Sequence, residues 1–174
     1  MKTTYYAASS LDGCIAKEDG DVSWLETLGI AIEETGYNEF YATVDGLVMG
    51  RNTYDMIVSY GQWPYDDKPV WVCTRQTIEA VDGCNLQNGK TPLEACREAQ
   101  QMGVNHMWLV GGGLLAASFI NEKQLSYLSI TQMPILLGGG ISLIGDLQNQ
   151  VTIKRIAMEP HPSGFTQMDF QIEY

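Results

Sequence analysis

Short apolar runs along the chain change period repeatedly, from two to nearly four residues and back. Thr3 to Ser9, rich in Thr and Tyr, predicts an opening strand; Leu11-Asp12-Gly13 supplies a turn and Cys14-Ile15-Ala16 resumes an apolar stretch. Lys17 to Asp21 is polar and predicts a surface loop. From Trp24 to Val44 the three-to-four spacing of Leu25, Leu28, Ile32, Tyr37, Phe40, Tyr41 and Val44 predicts helix, with Gly36 separating two segments. Gly46-Leu47-Val48-Met49-Gly50 predicts a strand that feeds directly into a helix beginning at Arg51-Asn52-Thr53.

Pro69 to Thr74 predicts a buried strand, and Thr91-Pro92 opens a helix with Thr as cap and Pro at the first helical position. His106 to Val110 predicts a strand that turns through Gly111-Gly112-Gly113 into a short helix over Leu114 to Ile120. Leu125 to Thr131 follows, then a loop holding Pro134 and Gly138-Gly139-Gly140. Val151 to Met158 and Phe165 to Glu173 flank a Pro-Gly turn region and predict an antiparallel hairpin. Strands alternating with helices and a closing hairpin imply an α/β sheet with an antiparallel edge, in one domain over residues 1–174.

Charge narrows the function. The 174 residues carry 21 Asp and Glu against 10 Lys and Arg, a net charge of −11 that repels the phosphates of nucleic acids and anionic membranes. No run approaches the roughly 20 apolar residues of a bilayer crossing, and the first residues lack the pattern of a secretory signal, so a soluble, cytosolic protein is expected. Cys14, Cys73, Cys84 and Cys96 form no CxxC pair and read as free thiols. His106 and His161 lack neighbours at ligand spacing, which leaves no support for a metal centre or a His-based triad.

In so acidic a chain each arginine is informative. Gly50 with Arg51, Asn52 and Thr53, and Gly111-Gly112-Gly113 before Leu114 and Leu115, are two strand-to-helix glycine turns of the kind that offers unpaired amides to phosphate. Read alone, the triple glycine is a tight structural turn rather than a phosphate site, since the acid expected about 20 residues on in a dinucleotide fingerprint is missing. Thr74 and Arg75 end the Pro69–Thr74 strand. In open α/β sheets ligands collect at the carboxyl ends of strands, where these segments would meet, and a dinucleotide with a 2′-phosphate would use amides and arginines together.

Five pieces occur in one order: Ser10-Leu11-Asp12-Gly13-Cys14-Ile15-Ala16, Val44-Asp45-Gly46-Leu47-Val48-Met49-Gly50-Arg51-Asn52-Thr53-Tyr54, Val72-Cys73-Thr74-Arg75, Leu109-Val110-Gly111-Gly112-Gly113 and Pro134-Ile135-Leu136-Leu137-Gly138-Gly139-Gly140. The ordered set resembles the dihydrofolate reductase-like superfamily, and more closely its branch shared with the reductase domain of bacterial riboflavin biosynthesis. The resemblance implies a three-layer fold around a mostly parallel, twisted sheet of about eight strands, and it implies NADPH. By the same resemblance Gly50, Arg51, Asn52 and Thr53 hold phosphate, Thr74 and Arg75 the 2′-phosphate, and Val110, Gly111, Gly112, Gly113, Leu114 and Leu115 the pyrophosphate region. Ala8, Ile15 and Ala16 pack on the nicotinamide.

A C=N acceptor must gain a proton as well as a hydride, and two acids are candidates. Glu34 lies 16 residues before Gly50, a spacing that resembles the folate-reducing members; Asp12 lies in the turn that borders substrate in the riboflavin-like branch. Trp24 lines the same cleft or anchors the core. No basic cluster for a substrate phosphate ester stands apart from the cofactor residues. The expected activity is hydride delivery from NADPH to a C=N or C=O of a small, pterin- or pyrimidine-like heterocycle. A cofactor-binding sensor or assembly module without turnover is the alternative. The resemblance also implies pairing of two copies, with the C-terminal hairpin as an apolar edge.

Overall fold

A computed structural model of the chain describes residues 1–87 and 89–174. Its strands are β1 Lys2–Ser9, β2 Cys14–Ala16, β3 Gly46–Gly50, β4 Val70–Cys73, β5 Leu86–Gln87, β6 His106–Gly111, β7 Tyr127–Gln132, β8 Ile141–Ser142, β9 Thr152–Pro160 and β10 Thr166–Glu173. Its helices are α1 Trp24–Thr27, α2 Tyr37–Ala42, α3 Arg51–Ser59, α4 Pro92–Gln101 and α5 Gly113–Asn121, with a 3₁₀ turn at Ile32–Thr35. The main sheet runs β5-β4-β3-β6-β1-β7-β10-β9; it is parallel from β5 to β7 and antiparallel through β10 and β9.

Strict alternation along the central strands divides the core between the two faces of this sheet. Tyr5, Trp71, Met107 and Leu109 pack toward α4 and α5, where Ala95, Ala99, Ala116 and Phe119 meet them. Their neighbours Tyr6, Val70, Val72 and Trp108 pack with Tyr37 and Phe40 of α2 and with Tyr54 and Ile57 of α3. Burying each such large side chain contributes about 1.5–3 kcal/mol, so the sheet is fixed from both sides. The result is the three-layer α/β architecture expected from the sequence, with its antiparallel C-terminal hairpin.

Local signals account for several boundaries. Thr91 caps α4 by accepting from the Glu94 amide while Glu94 returns to the Thr91 amide, with Pro92 in the first turn. The predicted helix over 24–44 is instead α1, the 3₁₀ turn and α2. Gly36 sits in the left-handed region at φ 73° and ends the 3₁₀ turn where α2 begins. After α5, Leu125 is a buried core residue and β7 begins two residues later at Tyr127. β5 and β8, two residues each, were not expected; no hydrophobic period is visible over so short a run, and only the partner strand defines it.

At the amino ends of the strands, opposite the glycine turns, His106 is buried between two threonines. Its Nε2 lies 2.8 Å from Thr4 Oγ1 and its Nδ1 3.1 Å from Thr43 Oγ1. Burial, aided by Lys2, holds the imidazole pKa below its ordinary value. The unfolded chain therefore takes up a proton there first, and stability is full above about pH 6.5 and falls as pH drops below it. Urea melts between pH 7 and 5 are expected to show a falling midpoint that flattens in His106→Gln. The carboxylates held low in the fold give a separate loss at more acidic pH.

Candidate functional site

Three adjacent parallel strands bring the glycine turns together. Gly50 ends β3 in register with Cys73 of β4, and Met49 pairs with Gly111 of β6. Chain order reverses here: α3 leaves β3 toward β4 on one face, while α5 leaves β6 toward β7 on the other, which makes the rim a topological switch point. A Cβ on Gly50 would stand 3.8 Å from the Gly111 carbonyl oxygen and 3.9 Å from the Gly112 nitrogen. One on Gly112 would stand 3.8 Å from Thr53 Oγ1 and 3.9 Å from Ile15 Cδ1. Gly50, Thr53, Gly111, Gly112 and Ile15 thus line one small area.

Both helices at this rim start without a side-chain cap. Gly50 and Gly112 occupy the cap positions of α3 and α5 in extended conformation, whereas α4 away from the rim is fully capped by Thr91. The first amides of α3 and α5 are left for another acceptor, with the positive ends of both helix dipoles beside them. Arg51 stands at the α3 start, its Nε 2.7 Å from both oxygens of Asp55 and its Nη1 donating to Gln76 Oε1 at 3.1 Å. That contact seats Arg51 against the Thr74-Arg75-Gln76 turn, in which Thr74 Oγ1 accepts from the Gln76 amide. Arg75 is exposed and has no ion-pair or hydrogen-bond partner among the described residues.

The segment from Pro134 to Gly145 straps the β1–β2 turn to the start of α5. β8 pairs with β2, the Leu143 amide donates to the Gly13 carbonyl, and the Gly145 amide donates to the Gly113 carbonyl. A Cβ on Gly113 would run into the Ser142 carbonyl oxygen, so the strap lies directly on the helix start. Ala16 is buried under it and Ile15 is half-buried at its edge; Ala8 belongs to a small third core with Trp24, Met133 and Phe165. Leu114 is 78% exposed, an unusual place for leucine and one that faces away from the core, while Leu115 and Val110 are half-buried.

Both acids proposed as proton donors are otherwise engaged. Asp12 accepts from the Leu137 amide at 3.1 Å and the Gly138 amide at 2.7 Å; with the Ser10 hydroxyl these hold its pKa down at about 2. It fastens the β1–β2 turn to the strap and carries no proton to give at neutral pH. Glu34 accepts from Ser163 Oγ at 2.6 Å and from the Ala31 amide at 3.1 Å, which lowers its pKa and pins the 3₁₀ turn to the C-terminal hairpin. Trp24, 2% exposed, is a core anchor rather than a cleft wall. Those contacts give each of the three a structural part in the fold.

Asp12→Ala is expected to lower the melting temperature and to speed amide exchange at Leu137 and Gly138, with no displaced acid limb in a pH–rate profile. A moved acid limb would restore Asp12 as a proton donor. The residues that sequence reasoning missed at the rim are Asp55 and Gln76, which hold Arg51, and the strap. An i,i+4 Arg–Asp pair was readable at Arg51 and Asp55; the strap was not, because its partners lie about 125 positions away.

Comparison with known proteins agrees with this architecture. Residues 61–166 match the RibD C-terminal domain. The chain is 36% identical over 155 residues to an uncharacterized Bacillus subtilis protein, YwjB, covering 88% of each. It superposes with a TM-score of 0.88 on the crystal structure of a putative riboflavin biosynthesis protein from Shewanella sp. PV-4, at 33% identity and over 100% of both chains. A dihydrofolate reductase from Enterococcus faecalis, solved with NADP(H), shares the fold at a TM-score of 0.69 and 14% identity, covering 99% of this chain and 97% of its own. The chain belongs to the RibD C-terminal domain family and has the dihydrofolate reductase-like fold.

Proposed function

We propose that the protein is an NADPH-dependent reductase that transfers hydride to a C=N or C=O group of a small heterocycle of pterin or pyrimidine type. One observation carries this reading: two uncapped, glycine-led helix starts meet at the ends of β3 and β6, with Arg51, Thr74 and Arg75 beside them, in a chain whose net charge is −11. Local positive charge against an unfavourable overall field suits a phosphate-rich cofactor. A family built around reductases, and a fold neighbour solved with NADP(H), support the same class.

In this reading the amides of Arg51, Asn52 and Thr53 and those of Gly113, Leu114 and Leu115 hold the diphosphate, and Arg75 and Thr74 take the 2′-phosphate. Ala8, Ile15 and Ala16 form an apolar wall for a flat ring and keep water from it. When bound, NADPH supplies the hydride; the chain supplies position and a dry surface.

The test is a thermal-shift titration with NADPH, where ligand at about 100 times its Kd should add about 2.7 kcal/mol of stability. No shift with either NADPH or NADH would sink the reading. A second reading, cofactor binding without turnover, draws on the engagement of both Asp12 and Glu34 in fastening contacts. NADPH oxidation with pterin, pyrimidine and quinone panels decides between the two.

A further inference from the structure

At the amino ends of the parallel strands, away from the glycine turns, a second concavity collects positive charge. A shallow cavity of about 430 Å³ opens between the start of β1, the turn after α5, the start of β7 and the end of β10. Lys2 and Lys123 line it, and among the described residues none that lines it has an acidic side chain. Against 21 acids and 10 bases in the whole chain, this surface reverses the sign of the overall field locally. Lys2 and Ala8 stand six residues apart on β1. That spacing separates the cavity from the proposed ring wall by about 20 Å.

Both ammonium groups are held in place without being neutralised. Lys2 Nζ stands 5.0 Å from the centroid of the Tyr127 ring, and Lys123 Nζ 6.0 Å from that of Tyr174. The Tyr174 hydroxyl donates to the Leu125 carbonyl at 2.8 Å, which fixes that ring. Neither lysine has an ion-pair partner among the described residues. Lys68 offers the contrast: it also stands over a tyrosine, 4.7 Å from the Tyr41 centroid, but it donates to the Val44 carbonyl. Two neutral donors join the lysines at the cavity. Ser126 Oγ accepts from the Thr3 amide at 3.3 Å, which leaves its O–H for another acceptor, and the Gln171 side chain has no partner among the described residues.

Lys123 occupies a position that backbone geometry alone would give to glycine. Its amide donates to the Ile120 carbonyl at 3.0 Å and the Gln124 amide donates to the Phe119 carbonyl at 2.8 Å. These two bonds close a helix through a left-handed residue, and Lys123, at φ 55°, is that residue. A side chain there carries strain that glycine avoids, offset in part by the negative end of the α5 dipole. The side chain so placed puts a cation at the cavity edge.

We propose that this cavity binds a small phosphate monoester, with Lys2 and Lys123 meeting the phosphate as point charges and Ser126 and Gln171 donating to its oxygens. A dianion matches two ammonium groups, whereas a carboxylate leaves one of them unbalanced. Leu125 and Ile172, also in the lining, meet the organic body of the ester, and the volume suits a small molecule. The proposal uses no residue of the glycine-turn rim and stands apart from the reductase reading.

Calorimetric titration of the full chain at low salt tests this with phenyl phosphate, benzoate and phenol, and amide shifts in NMR spectra locate the binding. Phenyl phosphate is expected to bind and to move the amides of Lys2, Lys123, Ser126 and Tyr127; benzoate should bind about tenfold more weakly and phenol not at all. Lys123→Gly should weaken phenyl phosphate about tenfold or more while Tm stays unchanged or rises, a combination that a part confined to closing α5 does not produce. Lys2→Met should give a similar loss independently of the helix end. No binding of phenyl phosphate, equal binding of benzoate or phenol, shifts confined to the glycine turns at Gly50 and Gly111, or an affinity unchanged in either variant would overturn the proposal.

Discussion

Gly113→Ala is expected to destabilise the protein and to abolish cofactor binding together. The added methyl would collide with the Ser142 carbonyl oxygen and press on that of Leu143, both backbone atoms that cannot rotate away. Either the strap lifts off the start of α5 or the helix start moves, and the Gly145–Gly113 hydrogen bond is lost in both cases. Overpacking of this kind costs about 1–3 kcal/mol, equivalent to a fall of about 2–12 °C in Tm for a domain of this size. The strap also holds the Asp12-Gly13 turn, so displacement reaches Ile15 and Ala16 at the proposed ring wall.

Gly112→Ala separates binding from folding. Gly112 has φ −97°, and its nearest neighbours would lie at ordinary contact distance, 3.8 Å for Thr53 Oγ1 and 3.9 Å for Ile15 Cδ1. The fold should tolerate this methyl, but it projects onto the rim where phosphate must approach the amides. NADPH affinity should fall about tenfold or more with little change in Tm. A Gly112→Ala protein that binds NADPH normally would mean that the cofactor does not lie against this turn. Melting curves with and without NADPH read both variants.

The contrast between the rim and the polar network on β7 and β10 explains what the sequence made legible. The two glycine turns announce themselves locally: glycine at a strand end and a helix pattern immediately after, with an arginine and a threonine added in the first turn of α3. Their convergence then follows from the parallel sheet, because carboxyl ends of parallel strands lie on one side. Ser129, Thr131, Gln167 and Asp169 announce nothing of the kind. Polar residues at alternate positions of two strands are the usual mark of a solvated face, and only the pairing of β7 with β10, 36 to 40 positions apart, makes them one network. The contacts of Asp12 and Glu34 were hidden for the same reason, since their partners Gly138 and Ser163 are more than 120 positions away. Short-range pattern identified the glycine turns; the fate of each carboxylate depended on contacts that only the folded chain defines.

Arg75→Ala should cut NADPH affinity by about 10- to 100-fold while leaving NADH affinity within about twofold, because one or two charge-assisted hydrogen bonds to a 2′-phosphate are lost and nothing else is. The free guanidinium of Arg75 makes this a clean substitution: it breaks no internal contact among the described residues. Arg51→Ala differs in kind. Arg51 is tied to Asp55 and Gln76 at the start of α3, so its loss removes charge from the shared diphosphate site and leaves Asp55 as an unbalanced negative charge beside it. Both cofactors should then bind more weakly, with the NADPH-to-NADH ratio nearly unchanged. Arg75→Lys restores part of the preference as a point charge without the planar fork, and the preference should shrink as salt is raised, since these exposed charges are screened within about 8–10 Å. Equal loss of NADPH and NADH in Arg75→Ala would place Arg75 at the diphosphate instead, and an unchanged affinity for both would remove it from the site altogether.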